Sequence, residues 1–208
     1  MAYQIAATSS QYITATAPVT DAAFTISCWS KFSNTTNNKF IVTISDTAAT
    51  DRFILYWAFQ KLSFFVNSSA GFTQPQAADT SANTWHHCAA IEASATSHWV
   101  YLNGTGTQTT ASRTLSGING LTIGAVRFNN GVTLSDNGNT DIADLAIWNT
   151  ALSSAEITSL SKGMSADNVR RSNLVFYAPL VRELIDIAQA RALTNTNSCP
   201  VINHPRIY

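Results

Sequence analysis

The chain has 208 residues, a length that suits a single all-β domain. Twelve Lys and Arg balance twelve Asp and Glu, and only 12% of the residues are charged. No basic field is therefore present that could hold nucleic acid or an anionic membrane surface. The surface must consist mainly of Ser, Thr, Asn and Gln, which suits either contacts with neighbouring subunits or neutral polar partners such as sugars.

The N-terminal residues 1–23 have neither the basic start nor the continuous apolar stretch of a secretory signal. No run of the sequence approaches the length of a membrane span. We therefore expect synthesis in the cytoplasm without secretion by a signal peptide. We interpret residues 1–23 as an N-terminal arm or a first strand.

Residues 24–180 contain short apolar or alternating runs that are separated by turn residues, as in antiparallel sheets. The runs are FTISCWSKF, KFIVTIS, RFILYWAF, KLSFFVN, WHHCAAIEA, HWVYLN, LTIGAV, DIADLAIWN and NLVFYAP. Asn-Gly pairs, which favour turns because both residues tolerate positive φ, begin at Asn103, Asn119, Asn130 and Asn137. The pattern predicts an all-β, two-sheet antiparallel sandwich.

One segment, ALSSAEITSLSKG, has the pattern of a helix instead. Ser153 and Glu156 have the spacing of a capping box, and Leu152 and Ile157 that of a hydrophobic staple. Gly163 can end the helix. We expect one short structural helix near residues 154–162.

Three cysteines, Cys28, Cys88 and Cys199, are odd in number and lack the spacing of a zinc site. We expect buried, reduced thiols. His86 and His98 could suggest a metal site together with Cys88, but a loop over residues 93–96 would pair His98 near Ile91. The ligands would then lie about 16 Å apart along the strands, too far to converge on zinc.

The segment WHHCAAIEASATSHWVYLNG, from Trp85 to Gly104, resembles the central hairpin of laminin G-like domains, with Cys88 in place of the usual Val. LTIGAV resembles that family's L-x-I-G strand, and DIADLAIWNTALSSAEITSLSKG its last strand and short helix. At the position of the family's usual acidic pair stand Ala143 and Asp144. The resemblance covers about residues 24–179 and implies a concanavalin A-like jelly roll.

Some concanavalin A-like proteins are glycoside hydrolases, which need two carboxylates about 5–10 Å apart. The E-x-D-x-x-E motif that commonly supplies them is missing, and the glutamates are Glu92, Glu156 and Glu183. We therefore predict a protein that is not an enzyme, with no catalytic residues and no cofactor. A glycoside hydrolase is the third hypothesis.

Two sets of residues are candidates for ligand binding. In the loop SDNGNTD, Asp136, Asn139 and Asp141 offer oxygen ligands for calcium, and Asn137 could bind a ligand, although such residues also simply form turns. The run from Phe53 to Phe72 holds more aromatic residues than one inward strand face needs. Within it, an exposed Tyr56 or Trp57 could stack on a sugar or on another subunit.

The last segment, residues 181–208, is expected to be a tail that packs on the domain or on a neighbour. From NLVFYAP onward the chain resembles the ends of laminin G-like proteins that bacteriophages encode as virion surface components. This resemblance implies a non-enzymatic virion protein, either a capsid decoration or a tail appendage. Its partners would be itself, as a homo-oligomer such as a trimer, and virion proteins such as a major capsid protein.

The alternative hypothesis is a lectin-like module that binds carbohydrate, including cell-surface glycan, through rim-loop Asn and Asp residues and an exposed aromatic ring. Both functions could coexist in one chain.

Overall fold

The computed structural model describes residues 1–6, 9–20, 23–128, 131–133, 140–181 and 183–203. These residues form two antiparallel sheets that pack face to face, with one short α-helix on the outside. The prediction of an all-β sandwich with one helix is confirmed. The strands are β1 (Ala2–Ile5), β2 (Tyr12–Thr16), β3 (Phe24–Phe32), β4 (Asn38–Ser45), β5 (Arg52–Ala58), β6 (Lys61–Ser68), β7 (Gly71–Thr73), β8 (Gln76–Asp79), β9 (His86–Ser94), β10 (Ser97–Leu102), β11 (Thr105–Thr109), β12 (Gly120–Ile123), β13 (Val126–Phe128), β14 (Gly131–Thr133), β15 (Thr140–Trp148), β16 (Leu174–Ala178), β17 (Thr194–Thr196) and β18 (Val201–Ile202).

Sheet A has the strand order β11-β10-β9-β3-β15-β1-β18, and β16 also pairs with β15. Sheet B has the order β17-β2-β12-β4-β5-β6-β7, and β8 also pairs with β6. Strands β13 and β14 form a separate hairpin. Both ends of the chain contribute to both sheets, because β1 and β18 belong to sheet A and β2 and β17 to sheet B.

The core lies between the sheets and follows the alternation of the sequence. Phe24, Ile26 and Cys28 of β3 meet Phe53 and other inward residues of β5. The rings of Phe24 and Phe53 make an edge contact, with centroids 4.8 Å apart. Each such side chain contributes about 1.5–3 kcal/mol through its removal from water.

Strand β15 is buried on both faces, because residues on its inner side join the core while Ala146 and Trp148 join the apolar cluster under the helix, and a bulge changes the alternation along it. Between Ala143 and Ala146 it advances one residue more than β3, and Asp144 within this bulge has φ +52°. Ile142 and Leu145 therefore both reach the core, although they are three positions apart in the strand.

The helix α1 (Ser154–Ser161) packs on the outer face of sheet A, where Leu152 and Ile157 join a second apolar cluster. The predicted capping box is confirmed. The Glu156 amide donates to Ser153 Oγ at 3.3 Å, and the Ser153 amide donates to Glu156 Oε2 at 2.7 Å. Among the described residues, no helix is long and apolar enough to cross a membrane.

The predicted Asn-Gly turns have different outcomes. Asn103 (φ +51°) and Gly104 (φ +86°) form the two-residue turn between β10 and β11, as expected. The turn predicted at Asn119 and Gly120 is wrong, since Gly120 begins β12 and pairs with strands on both sides. The other two pairs begin at Asn130 and Asn137, outside the described residues.

The three cysteines are free and buried. Cys28 and Cys88 face each other across β3 and β9, and both are completely enclosed. Burial raises the pKa of the Cys199 thiol to about 11, so this side chain is a neutral apolar group at physiological pH.

Candidate functional site

Tyr56 and Trp57 are neighbours in β5 and therefore point to opposite faces of sheet B. Trp57 lies in the core with 0% of its surface exposed. Its indole N–H donates to Ser30 Oγ at 3.1 Å, and its ring lies 4.6 Å from that of Phe32. The proposed exposure of Trp57 is therefore wrong, because this face of β5 is the one that sheet A covers.

Tyr56 lies on the outer face of sheet B, but its proposed exposure is wrong too, because only 8% of its surface is accessible in a small apolar cluster with Ile54 and Val126. Its ring is tilted against that of Phe40, with centroids 5.6 Å apart. Gln74 Nε2 donates to the Tyr56 hydroxyl at 2.7 Å. Burial raises the pKa of Tyr56, with the Gln74 hydrogen bond opposing, so the hydroxyl keeps its own proton available for another acceptor.

Tyr56 lines a depression at the end of the β5–β6 hairpin, which we call the β5–β6 groove. Its volume is about 460 Å³. The lining residues are Asn38, Tyr56, Ala58, Phe59, Gln60, Lys61, Gln74, Gln76 and Asp79. The groove thus combines aromatic rings with four carboxamide side chains.

Phe59 is the most exposed aromatic residue of this groove, with 59% of its surface accessible. It is the first residue of the two-residue turn that joins Ala58 to Lys61, and its φ is +58°. Glycine is usual at such a position, and a bulky residue there costs of order 1–3 kcal/mol. The chain therefore holds a large ring in solvent at a strained position.

The electrostatic balance of the groove is neutral. Lys61 Nζ lies 3.9 Å from Asp79 Oδ1, and both side chains are substantially exposed. Gln76 is anchored from below, since its Nε2 donates to Ser63 Oγ at 3.0 Å. The site is suited to hydrogen bonding and stacking with an uncharged molecule.

The calcium candidates divide into two groups. Asp136, Asn137 and Asn139 lie outside the described residues. Asp141 is buried in β15, where Lys31 Nζ lies 2.8 Å from one carboxylate oxygen and Gln4 Nε2 donates to the other at 3.1 Å. In the described part of the chain, no three His, Cys, Asp or Glu side chains cluster as metal ligands.

His98 has a partner that sequence reasoning missed. A bulge between Ser97 and His98 shifts the pairing, so that His98 faces Glu92 and not the predicted neighbour Ile91. Its Nδ1 lies 2.6 Å from Glu92 Oε2, and both side chains are almost fully buried. The sequence shows that Glu92 and His98 lie on either side of a short hairpin turn, but only the bulge places them opposite each other.

The three glutamates lie in three separate places. Glu92 pairs with His98 inside the protein, Glu156 bonds Ser153 and Arg170 at the start of α1, and Glu183 is exposed in the tail. A glutamate pair across a common cleft, which a retaining or inverting hydrolase would use, is therefore not formed by these side chains.

Comparison with known proteins supports this architecture. The profile of the concanavalin A-like lectin/glucanases superfamily matches residues 7–158. No curated protein has a sequence that matches this chain.

Several solved structures share the fold. The native heptameric SAP-like pentraxin of Limulus polyphemus is 14% identical with a TM-score of 0.65, and the match covers 90% of this chain and 86% of the pentraxin. Domains LG4-5 of the mouse laminin α1 chain are 16% identical with a TM-score of 0.56, over 71% of this chain and 40% of that one. The CBM40 of the Ruminococcus gnavus IT-sialidase, bound to α2,3-sialyllactose, is 10% identical with a TM-score of 0.54, over 69% of this chain and 84% of that one.

These similarities concern the fold alone, because the sequence identities are low. The solved neighbours are mostly binding or lectin-like domains. The match of the family profile spans most of the chain and coincides with the two-sheet sandwich described above. The chain therefore belongs to the concanavalin A-like lectin/glucanase superfamily.

Proposed function

We propose that this protein is a non-enzymatic, lectin-like module and that its β5–β6 groove binds a neutral glycan. The observation that carries this proposal is the combination of exposed Phe59 with the Tyr56 hydroxyl, held by Gln74, in a depression without net charge. A groove of about 460 Å³ is within the size range of small-molecule sites.

The chemistry of a sugar ring matches the two kinds of surface in the groove. The C–H face of a pyranose packs on an aromatic ring, and Phe59 offers such a ring to solvent. Sugar hydroxyls both donate and accept, as the carboxamides of Asn38, Gln60 and Gln76 can do. The nearby Lys61 and Asp79 offset each other in charge, so binding is expected to depend little on salt.

A glycan array tests this function with a matched pair of variants. Phe59→Ala should weaken binding about tenfold, because an aromatic stack is worth roughly 1–1.5 kcal/mol. Phe72→Ala is the control, since Phe72 is also 59% exposed but does not line the groove. Each protein is probed with neutral and sialylated glycans, with and without calcium.

If the groove is the site, Phe59→Ala should bind glycan more weakly than Phe72→Ala does. An array without hits under all conditions, or equal losses in both variants, would overturn the assignment of the groove. Hits that require calcium would point instead to the loop that contains Asp136 and Asn139.

We further propose, as a second function, that the protein is a virion component that docks as a homo-oligomer on a phage surface. One feature of the tail supports it. Among the described residues, seven large apolar side chains are exposed, and four of them, Val181, Ile185, Ile187 and Val201, belong to the tail. An outward apolar tail suits contact with a second copy or with a capsid protein.

The virion role is tested by mass and by particle association. The wild-type chain should form a stable oligomer in light scattering, and proteomics should find it on virions made in its host. Ile187→Asp should shift the oligomer toward monomer, while Phe72→Asp, outside the tail, should leave the mass unchanged. A monomer that is missing from particles would contradict this role.

A further inference from the structure

A second depression lies on the opposite side of the sandwich, between the outer face of sheet A and the start of α1. We call it the α1 cleft. Its volume is about 420 Å³, and it is lined by Ile91, Ala93, Trp99, Tyr101, Gly104, Gly106, Ala151, Leu152 and Ser154. None of these residues is charged, so the cleft suits an uncharged ligand.

The floor of the α1 cleft is a pair of nearly parallel aromatic rings. Trp99 and Tyr101 lie with centroids 5.8 Å apart and planes inclined by 24°. The indole N–H of Trp99 donates to Ser97 Oγ at 3.2 Å, and Gln108 Nε2 donates to the same oxygen at 3.0 Å. These bonds hold the half-buried Trp99 ring in a defined orientation.

Gly106 is needed for this floor, because a side chain there would collide with Tyr101. A Cβ atom at Gly106 would lie 2.5 Å from Tyr101 Cε1. The Tyr101 ring therefore lies directly across the backbone of β11, its partner strand. The aromatic floor is therefore formed by residues that pair with each other across strands β10 and β11.

The hydroxyl of Tyr101 is a polar group that a ligand in the otherwise aromatic and apolar part of the cleft can reach. Tyr101 is only 6% exposed, yet among the described residues its hydroxyl has no hydrogen-bond partner. Other buried tyrosines differ: Tyr177 donates to Asp144 Oδ1 at 2.6 Å, and Tyr56 accepts from Gln74. The Tyr101 hydroxyl is not among the buried polar atoms that lack a partner, so this atom reaches the cleft, where it can donate to or accept from a bound molecule.

We infer that the α1 cleft is a second sugar site, in which a pyranose ring stacks on Trp99 and one of its hydroxyls bonds the Tyr101 hydroxyl. This inference shares the ligand class of the proposed function but depends on separate residues. The two sites lie on opposite sheets, β5–β6 on sheet B and β9–β10 on sheet A. One molecule would therefore bridge two glycan chains and gain avidity on a glycan-coated surface.

The test is a titration with methyl β-D-glucopyranoside and methyl β-D-galactopyranoside, followed by NMR at both sites. The Trp99 indole N–H signal reports on the α1 cleft, and the Phe59 and Gln60 amides report on the β5–β6 groove. Tyr101→Phe should weaken binding at the α1 cleft about five- to tenfold, the value of one hydrogen bond. The melting temperature should not change, since the hydroxyl bonds no described residue.

Tyr177→Phe is the matched control. It removes a hydroxyl that donates to Asp144, so it should lower the melting temperature and leave the Trp99 titration unchanged. The inference would be overturned if Trp99 does not respond to either sugar, or if Tyr101→Phe binds like the wild type. If the wild-type protein shows a response at Trp99 but none at Phe59, the β5–β6 groove is refuted as a sugar site and the α1 cleft is supported.

Discussion

Replacing Glu92 with Ala is expected to lower the free energy of unfolding by about 3–5 kcal/mol, the usual cost of removing one partner of a buried ion pair. The Glu92 and His98 side chains are 2% and 0% exposed, and their closest atoms are 2.6 Å apart. His98 Nε2 also lies 2.8 Å from the Ala111 carbonyl oxygen, which can only accept, so Nε2 must donate. Without Glu92, the imidazole would keep one of its two bonds and lose its counter-charge.

Urea denaturation of wild type and variant measures this effect. Asp79→Ala is the control, because the exposed Lys61–Asp79 pair should contribute less than about 1 kcal/mol. Equal stability losses in the two variants would show that burial does not strengthen the Glu92–His98 pair.

The same pair predicts a change of stability with pH. Burial alone would lower the pKa of His98, but the hydrogen bond and negative charge of Glu92, with the Ala111 carbonyl, raise it above 6.5. The folded protein thus holds this proton more tightly than the unfolded chain. While Glu92 is ionised, the contribution of the His98 proton is therefore complete below pH 6.5 and declines as the pH rises through the folded pKa. Glu92→Gln, which removes the charge, should abolish that decline.

Acidification is expected to destabilise the protein strongly through His87. This residue is 1% exposed, and its Nε2 lies 2.9 Å from Ser27 Oγ. Its Nδ1 is buried and has no partner among the described residues. Burial lowers the pKa of His87 from 6.5 to about 3, so the folded state keeps this imidazole neutral.

The sign follows from comparing the two states. Between pH 6.5 and about 3, the unfolded chain binds a proton at His87 that the folded chain does not bind. The free energy of unfolding therefore decreases by about 1.4 kcal/mol for each unit by which the pH is lowered, or by roughly 3 kcal/mol between pH 6.5 and 4.

His87→Gln should remove most of this acid-induced loss, even if it lowers stability at pH 7. His86→Gln at the adjacent position should retain the loss, because His87 is still present. The measurement is urea denaturation at pH 4 and pH 7 for all three proteins. Parallel losses in wild type and His87→Gln would show that another group controls acid sensitivity.

Much of the fold was predictable because its signals are local. The alternation in FTISCWSKF predicted β3 (Phe24–Phe32), and Ser153 with Glu156 predicted the start of α1. Asn103 and Gly104 predicted a hairpin turn, since both must adopt positive φ. Such signals act within a few residues and need no information about distant parts of the chain.

The candidate site was predictable only in part. An excess of aromatic residues around β5 indicated that some would be exposed, but Tyr56 is only 8% exposed, and the exposed ring next to it is that of Phe59. Adjacent residues of a strand face opposite sides, so a choice between Tyr56 and Trp57 required knowing which side sheet A covers. Phe59 could not be assigned, because its exposure follows from the turn that joins β5 to β6.

By itself, the sequence determined the two-sheet sandwich, its helix and its low content of charged residues, because periodicity and capping are properties of short segments and composition is read directly from the chain. Tertiary structure decided the functional geometry. The bulge before His98 selects Glu92 as its partner, and the packing of α1 on sheet A places Ser154 and Tyr101 in the lining of one cleft. These contacts join residues through strand register and the docking of distant segments, which local sequence patterns do not specify.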